Sequence, residues 1–271
     1  MLSLPREHGA WAMLLVPFLT GAMVGAVTAP PDWWLLAAGL SGTLLLFTAR
    51  PPLLLLFKRR TRSGGFGEGA RRLAINVLVP AMAAAVLYLW LILCHDLGKM
   101  LILAAVGLPL FAIHLAFVDR RRERSAAAEM VGVALLTLTA PLAYGIATGG
   151  LDAVAWWLWL LNGLYFSTSI FYVKMRMTAS RLRENRPGWR RKLVPARNTM
   201  AYSALAAALL AVAAGSGRIP AAAPAAYLPL LVYIIIRIVT LGTEMRIKQE
   251  GIWQTVLSAA FGIILVMAYS P

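Results

Sequence analysis

The fold is decided by the stretch WWLLAAGLSGTLLLFTARPPLLLLFKRR, residues 33–60. Residues 33–57 are almost entirely apolar, and about twenty such residues in a helix cross the roughly 30 Å hydrocarbon core of a bilayer. The run ends in a cluster of Lys and Arg residues, which is typical of the cytosolic end of a membrane helix. Because Pro51-Pro52 removes backbone donors, we predict one helix that bends near its cytosolic end.

Further apolar runs follow along the chain, separated by charged segments and by Pro and Gly. The predicted membrane helices lie near residues 9–29, 33–57, 72–94, 99–118, 126–148, 153–176, 198–215, 221–243 and 253–270. With 60% hydrophobic residues, the chain is far more apolar than a soluble domain. We therefore predict an all-α, polytopic transmembrane helical bundle of about nine helices that forms a single transmembrane domain over residues 1–271.

The charged residues predict the orientation of this bundle. Counted from a cytosolic N-terminus, the connections on the far side hold only Lys99 and Arg218 against Asp32, Asp96 and Asp152. The far side thus carries a net charge of 2 − 3 = −1. The other side carries the +16 that completes the formal net charge of +15, and it is cytosolic by the positive-inside rule. We predict a multi-pass protein of the inner membrane with a cytosolic N-terminus and a non-cytosolic C-terminus.

The connection at 177–197 is strongly basic and has a Pro-Gly break in its middle. It is predicted to be an interfacial loop anchored by Trp189. In a soluble protein the positive charge would suggest nucleic acid, but here topology and anionic lipid headgroups account for it. Membrane lipids are thus the expected partners, and nucleic acid is not expected. The sequence does not indicate the oligomeric state.

Charged and polar residues inside the predicted helices indicate a functional site. Each charge there costs about 2.5–3.5 kcal/mol on insertion scales and normally faces protein or a water-filled cavity. Arg50 and Arg237 are predicted to lie deepest, about 10 Å inside the cytosolic ends of their helices. A polar stripe with helical spacing on the helix at 153–176 should face protein. Its members are Asn162, Tyr165, Ser169, Tyr172 and Arg176.

These positions predict a basic cavity that opens to the cytosol and suits an anionic group. The expected substrate-binding residues are Arg50, Lys58, Asn162, Lys174, Arg176, Arg237 and Glu244. Catalysis would need a proton donor or acceptor. The candidates for that role are His8, Glu129 and Tyr172. The alternative is that the charges only pair with one another to stabilise the bundle, with Arg237 held by Glu129 or Glu244.

Metal and haem sites are not predicted. The single cysteine, Cys94, excludes an internal disulfide and a cysteine-rich metal site. The sequence has no His-x-x-x-His pair, carboxylate cluster or CxxCH motif, so no cofactor is expected.

The opening of the chain carries a family resemblance. The stretch PREHGAWAM at 5–13, followed by Pro17, resembles the signature of the YwiC-like membrane proteins, P-[KR]-x-H-G-A-W-A-M with a proline in the first helix. The segments RPPLLLLFKRR at 50–60 and YFSTSIFYVKMRMTASR at 165–181 also resemble basic segments of that family. This resemblance implies membership of that family but does not imply any reaction or ligand.

The predicted architecture is also similar to the UbiA superfamily of intramembrane prenyltransferases. In that superfamily, Asp-rich motifs after the second and sixth helices hold Mg²⁺ ions, which bind a prenyl diphosphate. Here the corresponding segments have cations and no carboxylate, so they suit phosphate or carboxylate oxygens rather than Mg²⁺. The cations are Arg50, Lys58, Arg59 and Arg60 in the first segment and Lys174, Arg176 and Arg181 in the second.

Three functions fit these observations. The first is a UbiA-like protein that binds an amphipathic lipid, isoprenoid or quinone-like molecule through an anionic head, with or without transforming it in a Mg²⁺-independent reaction. The second is a transporter or flippase for an organic or lipid anion, which the proline-interrupted second helix favours. The third is a non-enzymatic assembly partner of a membrane complex. The sequence does not decide whether the protein is an enzyme.

Overall fold

The computed structural model describes residues 8–63, 69–180, 188–241 and 247–270, which are almost entirely helical and contain no strand. The helices are α1 (His8–Thr28), α2 (Trp33–Ser63), α3 (Ala70–Cys94), α4 (Leu101–Asp119), α5 (Ala126–Thr137), α6 (Thr139–Thr148), α7 (Ala153–Ala179), α8 (Trp189–Gly215), α9 (Leu228–Val239) and α10 (Ile247–Tyr269). Short 3-10 turns precede α4 and α9. The predicted all-α bundle is confirmed.

Seven segments of the described chain are long and apolar enough to cross a membrane. They are α1, α2, α3, α4 with its preceding turn, α5 and α6 together, α8 and α10. With 27 residues α7 is also long enough, although its polar stripe makes it less apolar. The segment Ala223–Val239, which contains α9, is a shorter apolar helix. Helices therefore occupy every predicted apolar run, and the chain is a multi-pass membrane protein.

The chain divides into two compact units, Met1–Trp159 and Leu160–Pro271. The first contains α1 to α6 and the first turns of α7. The second contains the rest of α7 together with α8, α9 and α10. A single transmembrane domain over residues 1–271 stays a prediction.

In the first unit, α1 packs closely against α6. Gly21 and Gly25 lie one turn apart on α1, in the GxxxG spacing that lets membrane helices approach each other. A Cβ atom at Gly21 would overlap the carbonyl oxygen of Ala140, and one at Gly25 would lie 2.6 Å from Cβ of Ala147. The two helices can therefore touch along their backbones only because these positions lack side chains.

The second helix is continuous through its proline pair. It runs from Trp33 to Ser63 with Pro51 and Pro52 inside it, as the prediction of one helix required. It packs against α3, where the hydroxyl oxygens of Thr43 and Tyr88 lie 2.8 Å apart. This contact joins polar groups of two membrane helices and holds α2 in place on the N-terminal side of Arg50.

The predicted basic loop at 177–197 is partly helical in the structure. α7 continues to Ala179 and α8 begins at Trp189, so the last residues of the predicted loop belong to α8. The reason is that buried residues with helical spacing begin before the predicted apolar run at 198–215. Ala196 and Thr199 are buried and lie on the same face as Ala206 and Leu210 further along α8. Residues 181–187 of the predicted loop lie outside the described residues.

Candidate functional site

The predicted site residues fall into two clusters, one in each compact unit. Arg50, Lys58 and Glu129 belong to the first unit. The second unit contains Asn162, Tyr172, Lys174, Arg176 and Arg237. His8 begins α1, but its side chain and the whole of Glu244 lie outside the described residues. Within the described part of the chain, no group of three His, Cys, Asp or Glu residues could hold a metal ion.

The first cluster is built on a contact between Arg50 of α2 and His114 of α4. The Nη2 atom of Arg50 lies 3.3 Å from Nε2 of His114, whose side chain is buried. Because a guanidinium can only donate hydrogen bonds, Nε2 must accept and the ring proton must lie on Nδ1. The backbone of Ala128 forms a hydrogen bond with the ring, although its geometry is poor. Among the described residues Nδ1 has no hydrogen-bond partner of standard geometry. The cluster therefore presents a buried N–H donor beside a cation.

Gly132 of α5 lies against this pair. A Cβ atom at Gly132 would be 3.8 Å from Nη2 of Arg50 and 3.9 Å from Cε1 of His114. Gly132 is itself buried, so α5 packs over this side of the pair, and a larger side chain at this position would press on both groups. Glu129, which is half-buried, lies one helical turn earlier on α5 and brings a carboxyl group to the same end of the helix.

A second contact joins the same elements closer to their ends. Lys58, two turns beyond Arg50 on α2, forms an ion pair with Glu123 in the connection between α4 and α5. Its Nζ atom lies 2.6 Å from Oε2 of Glu123, and both side chains are about one-third exposed. Arg121 in this connection has a φ angle of +56°, which is uncommon for a residue other than glycine. The ion pair therefore links the end of α2 to the connection between α4 and α5 and is partly exposed.

The second cluster is centred on Glu250, in the first turn of α10, which is only 4% exposed. Its Oε2 atom accepts hydrogen bonds from the hydroxyls of Tyr172 (2.6 Å) and Tyr233 (2.9 Å). Its Oε1 atom lies 2.9 Å from Nη2 of Arg237 and 3.4 Å from Nε of Arg176. The Nε group of Arg237 also donates to the hydroxyl of Tyr233. One carboxylate therefore holds together the ends of three helices.

Helix electrostatics favour the same arrangement. Arg176 and Arg237 lie in the last turns of α7 and α9, where the partial negative charge of the helix terminus stabilises cations. Glu250 lies at a helix N-terminus, where an anion is stabilised. The second cluster therefore fits the alternative prediction, in which the charged residues pair with one another and stabilise the bundle. Its carboxylate is Glu250 rather than the predicted Glu129, and Glu244, the other predicted partner, lies outside the described residues.

The predicted depth of Arg237 is wrong. α9 ends at Val239, so Arg237 lies in its last turn and not two turns inside a helix that continues to residue 243. A tertiary contact explains the early end, because Nζ of Lys192 on α8 donates to the carbonyl oxygen of Val239 at 2.6 Å. This bond satisfies a terminal carbonyl that a further helical turn would otherwise use.

The polar stripe on α7 is buried, which confirms that it faces protein. Asn162, Tyr165, Ser169, Tyr172 and Arg176 are each exposed by 7% or less. Tyr165 stacks on Phe261 of α10, with ring centroids 4.0 Å apart. Lys174 is half-buried near the end of the same helix. Of these residues, Tyr172 and Arg176 are brought to Glu250.

Five residues of the two clusters were not among the predicted site residues: His114, Glu123 and Gly132 in the first and Tyr233 and Glu250 in the second. Glu250 was assigned to a loop, although it lies seven residues before Leu257 and eleven before Phe261, which are buried on the same face of α10. That spacing is a signal that could have extended the helix back to Glu250. Gly132 has no comparable signal, because a single glycine in an apolar run does not reveal which side chains lie opposite to it.

Apolar helices that bury ionic and polar clusters define a multi-pass helical membrane protein. A model of the YwiC-like protein family matches residues 4–144. Uncharacterized protein YwiC of Bacillus subtilis (strain 168) is 32% identical over 184 residues, which cover 68% of this chain and 69% of the relative. The chain therefore belongs to the YwiC-like family. The matched region 4–144 contains the first cluster and does not include the second.

No solved structure matches the chain. The similarity to the UbiA superfamily therefore stays a prediction.

Proposed function

We propose that the protein binds an amphipathic lipid, such as an isoprenoid or quinone-like molecule, through the first cluster. The oxygen atoms of its head would accept hydrogen bonds from Arg50 and His114, and its tail would lie in the hydrocarbon. The observation that carries this proposal is the buried Nδ1–H donor of His114 beside the guanidinium of Arg50.

The chemistry of these two groups selects the ligand. The guanidinium of Arg50 and the Nδ1–H group of His114 can only donate hydrogen bonds. They therefore suit an acceptor such as a phosphate, carboxylate or quinone oxygen. A buried polar group with no partner costs about 1–3 kcal/mol, so a group such as Nδ1 of His114, whose hydrogen bond to Ala128 is poorly formed, loses part of that amount, and an acceptor on the ligand would recover it. An anionic acceptor gains further from the charge of Arg50.

The surroundings suit the tail of such a ligand. Leu46, which lies one turn before Arg50 on the same face of α2, is half-exposed, and so is Ile113 beside His114. Apolar side chains that are exposed on a membrane helix face lipid or a lipid-like ligand. A molecule with its head at Arg50 and His114 could therefore extend its tail along these side chains without leaving the bilayer.

Lys58 and Glu129 add to the proposed site. An anionic head that enters from the cytosolic end would meet the ion pair of Lys58 with Glu123 and compete with that carboxylate. Glu129, one turn from Gly132, is the group of the first cluster that could accept or donate a proton in a Mg²⁺-independent transformation. Tyr172 is engaged with Glu250 in the other unit.

Replacing Arg50 by Leu or His114 by Phe is expected to remove the bound lipid. Hydrogen bonds to charged groups contribute about 1.5–3 kcal/mol, so each change should reduce the affinity for the lipid at least tenfold and lower its occupancy accordingly. Native mass spectrometry of the purified protein measures the occupancy directly. Gly132→Leu should have the same effect without any change of charge, because its side chain would press on Arg50 and His114.

The matched control is Arg120→Leu, which removes the same charge from an exposed residue at the end of α4. It should keep the lipid. The proposal is contradicted if Arg50→Leu, His114→Phe and Gly132→Leu all fold, insert and retain the lipid as the unsubstituted protein does.

We also propose that the protein lies in the inner membrane with its N-terminus in the cytosol. The cationic ends of α2, α7 and α9, with Lys58, Arg176 and Arg237, then all lie on the cytosolic side. Reporter fusions are expected to show a cytosolic N-terminus and a non-cytosolic C-terminus after Tyr269. A cytosolic signal from both ends would mean that an even number of helices crosses the membrane.

A further inference from the structure

The first turns of α8 carry an exposed stripe in which cations alternate with apolar side chains. Arg190, Val194, Arg197 and Met200 follow one another at intervals of four, three and three residues, so they share one face of the helix. All four are exposed, and Val194 is 76% exposed. We call this set the α8 stripe.

A shallow groove of about 430 Å³ runs along this stripe. Its lining includes Leu193, Val194, Arg197 and Met200, so three apolar side chains and one guanidinium meet there. An acyl chain has the width and chemistry to lie along apolar side chains of this kind. The guanidinium at the same place can donate charge-assisted hydrogen bonds to an anionic group within its reach.

The opposite face of α8 is held by the rest of the second unit. Ala196 and Thr199 are buried, and the hydroxyl of Thr199 donates to the carbonyl oxygen of Phe171 on α7 at 2.9 Å. Lys192 is bonded to the end of α9, as described above. These contacts fix the rotation of α8 about its axis, and the α8 stripe is therefore directed outward.

We propose that the α8 stripe binds one molecule of an anionic phospholipid. Its phosphate would lie between Arg190 and Arg197, which are two turns or about 10 Å apart along the helix and have side chains long enough to converge. One acyl chain would follow Val194 and Met200 into the groove. This site lies in the second unit and does not depend on the lipid proposed for Arg50 and His114.

The position of the stripe and its composition support this ligand class. The apolar segment that can cross a membrane begins at Arg190, so the stripe lies where α8 passes from the headgroups into the hydrocarbon. Cations at that level attract anionic headgroups. The apolar residues between the cations require a hydrocarbon chain, which separates a phospholipid from a nucleic acid or an acidic peptide.

The test is the affinity of the purified protein for phosphatidylglycerol, with phosphatidylcholine as the zwitterionic comparison. We expect the wild-type protein to retain phosphatidylglycerol preferentially in native mass spectrometry. The double variant Arg190→Gln, Arg197→Gln should bind it about 30-fold more weakly, since each cation at the membrane surface contributes about 1 kcal/mol, which is about fivefold in affinity. Binding of phosphatidylcholine should be unchanged.

Arg218→Gln is the matched control, because it removes an exposed cation beyond the other end of α8. Val194→Asp tests the groove separately and should also reduce retention of phosphatidylglycerol. All these residues are exposed, so melting temperatures should not change. Equal binding of the two lipids by the wild-type protein would overturn the proposal, and so would an equal loss of binding in Arg218→Gln. Lipid held at Arg50 and His114 should persist in the double variant.

Discussion

Replacing Glu250 by Leu is expected to destabilise the second compact unit by about 3–5 kcal/mol, which is typical when one partner of a buried ionic cluster is removed. The change takes the shared carboxylate away from Arg176 and Arg237, and it removes the acceptor of the Tyr172 and Tyr233 hydroxyls. Two guanidinium groups would then lie close together without the anion between them. A large fall in the melting temperature of the purified protein would show this effect.

Two further variants make the measurement specific. Gln249→Leu changes an exposed neighbour in the same turn of α10 and should leave the melting temperature unchanged. The combination of Glu250→Leu with Arg176→Met and Arg237→Leu should recover part of the loss, because a buried ionic cluster can often be replaced by apolar residues at little cost. If Glu250→Leu melts like the wild-type protein, the carboxylate does not hold the three helix ends together.

Replacing Gly21 by Ala is expected to destabilise the first unit, although the change adds only a methyl group. The new Cβ atom would overlap the carbonyl oxygen of Ala140, and a backbone atom cannot move aside as a flexible side chain does. Overpacking of a core usually lowers the free energy of unfolding by about 1–3 kcal/mol. A clash with the backbone is expected to cost the upper end of this range or more. Gly21→Val should be more severe, with loss of folded protein during expression or solubilisation.

The matched control is Gly9→Ala, on the same helix. A Cβ atom at Gly9 would meet no neighbouring group of the described residues within 4 Å, so this variant should express and melt like the wild-type protein. Thermal unfolding of both variants in the same detergent gives the comparison. An identical melting temperature for Gly21→Ala and Gly9→Ala would show that the close approach of α1 and α6 does not limit the stability of this unit.

The two clusters differ in what they can do. Glu250 is enclosed by two arginines and two tyrosines, so every oxygen of its carboxylate is engaged within the second cluster. The first cluster pairs Arg50 with an imidazole and leaves a donor of His114 for a ligand. A function in ligand binding is therefore proposed for the first cluster, and a stabilising role is expected for the second.

The sequence alone determined the helices and the class of protein. A run of about twenty apolar residues must satisfy its backbone hydrogen bonds internally in lipid, so each run becomes a helix whatever its neighbours are. The same locality explains why the buried polar stripe on α7 was predicted correctly. Its spacing places Asn162, Tyr165 and Tyr172 on one face, and polar groups are driven away from lipid.

Only the tertiary structure decided which charged groups meet. Arg237 and Glu250 come from different helices, as do Arg50 and His114, and many pairings are compatible with the same helix positions. The ends of helices were also decided by contacts, as the bond from Lys192 to the last residue of α9 shows. The physical reason is that a helix depends on neighbours in sequence, whereas an ion pair, a cap or a close approach at Gly21 depends on how separate helices pack.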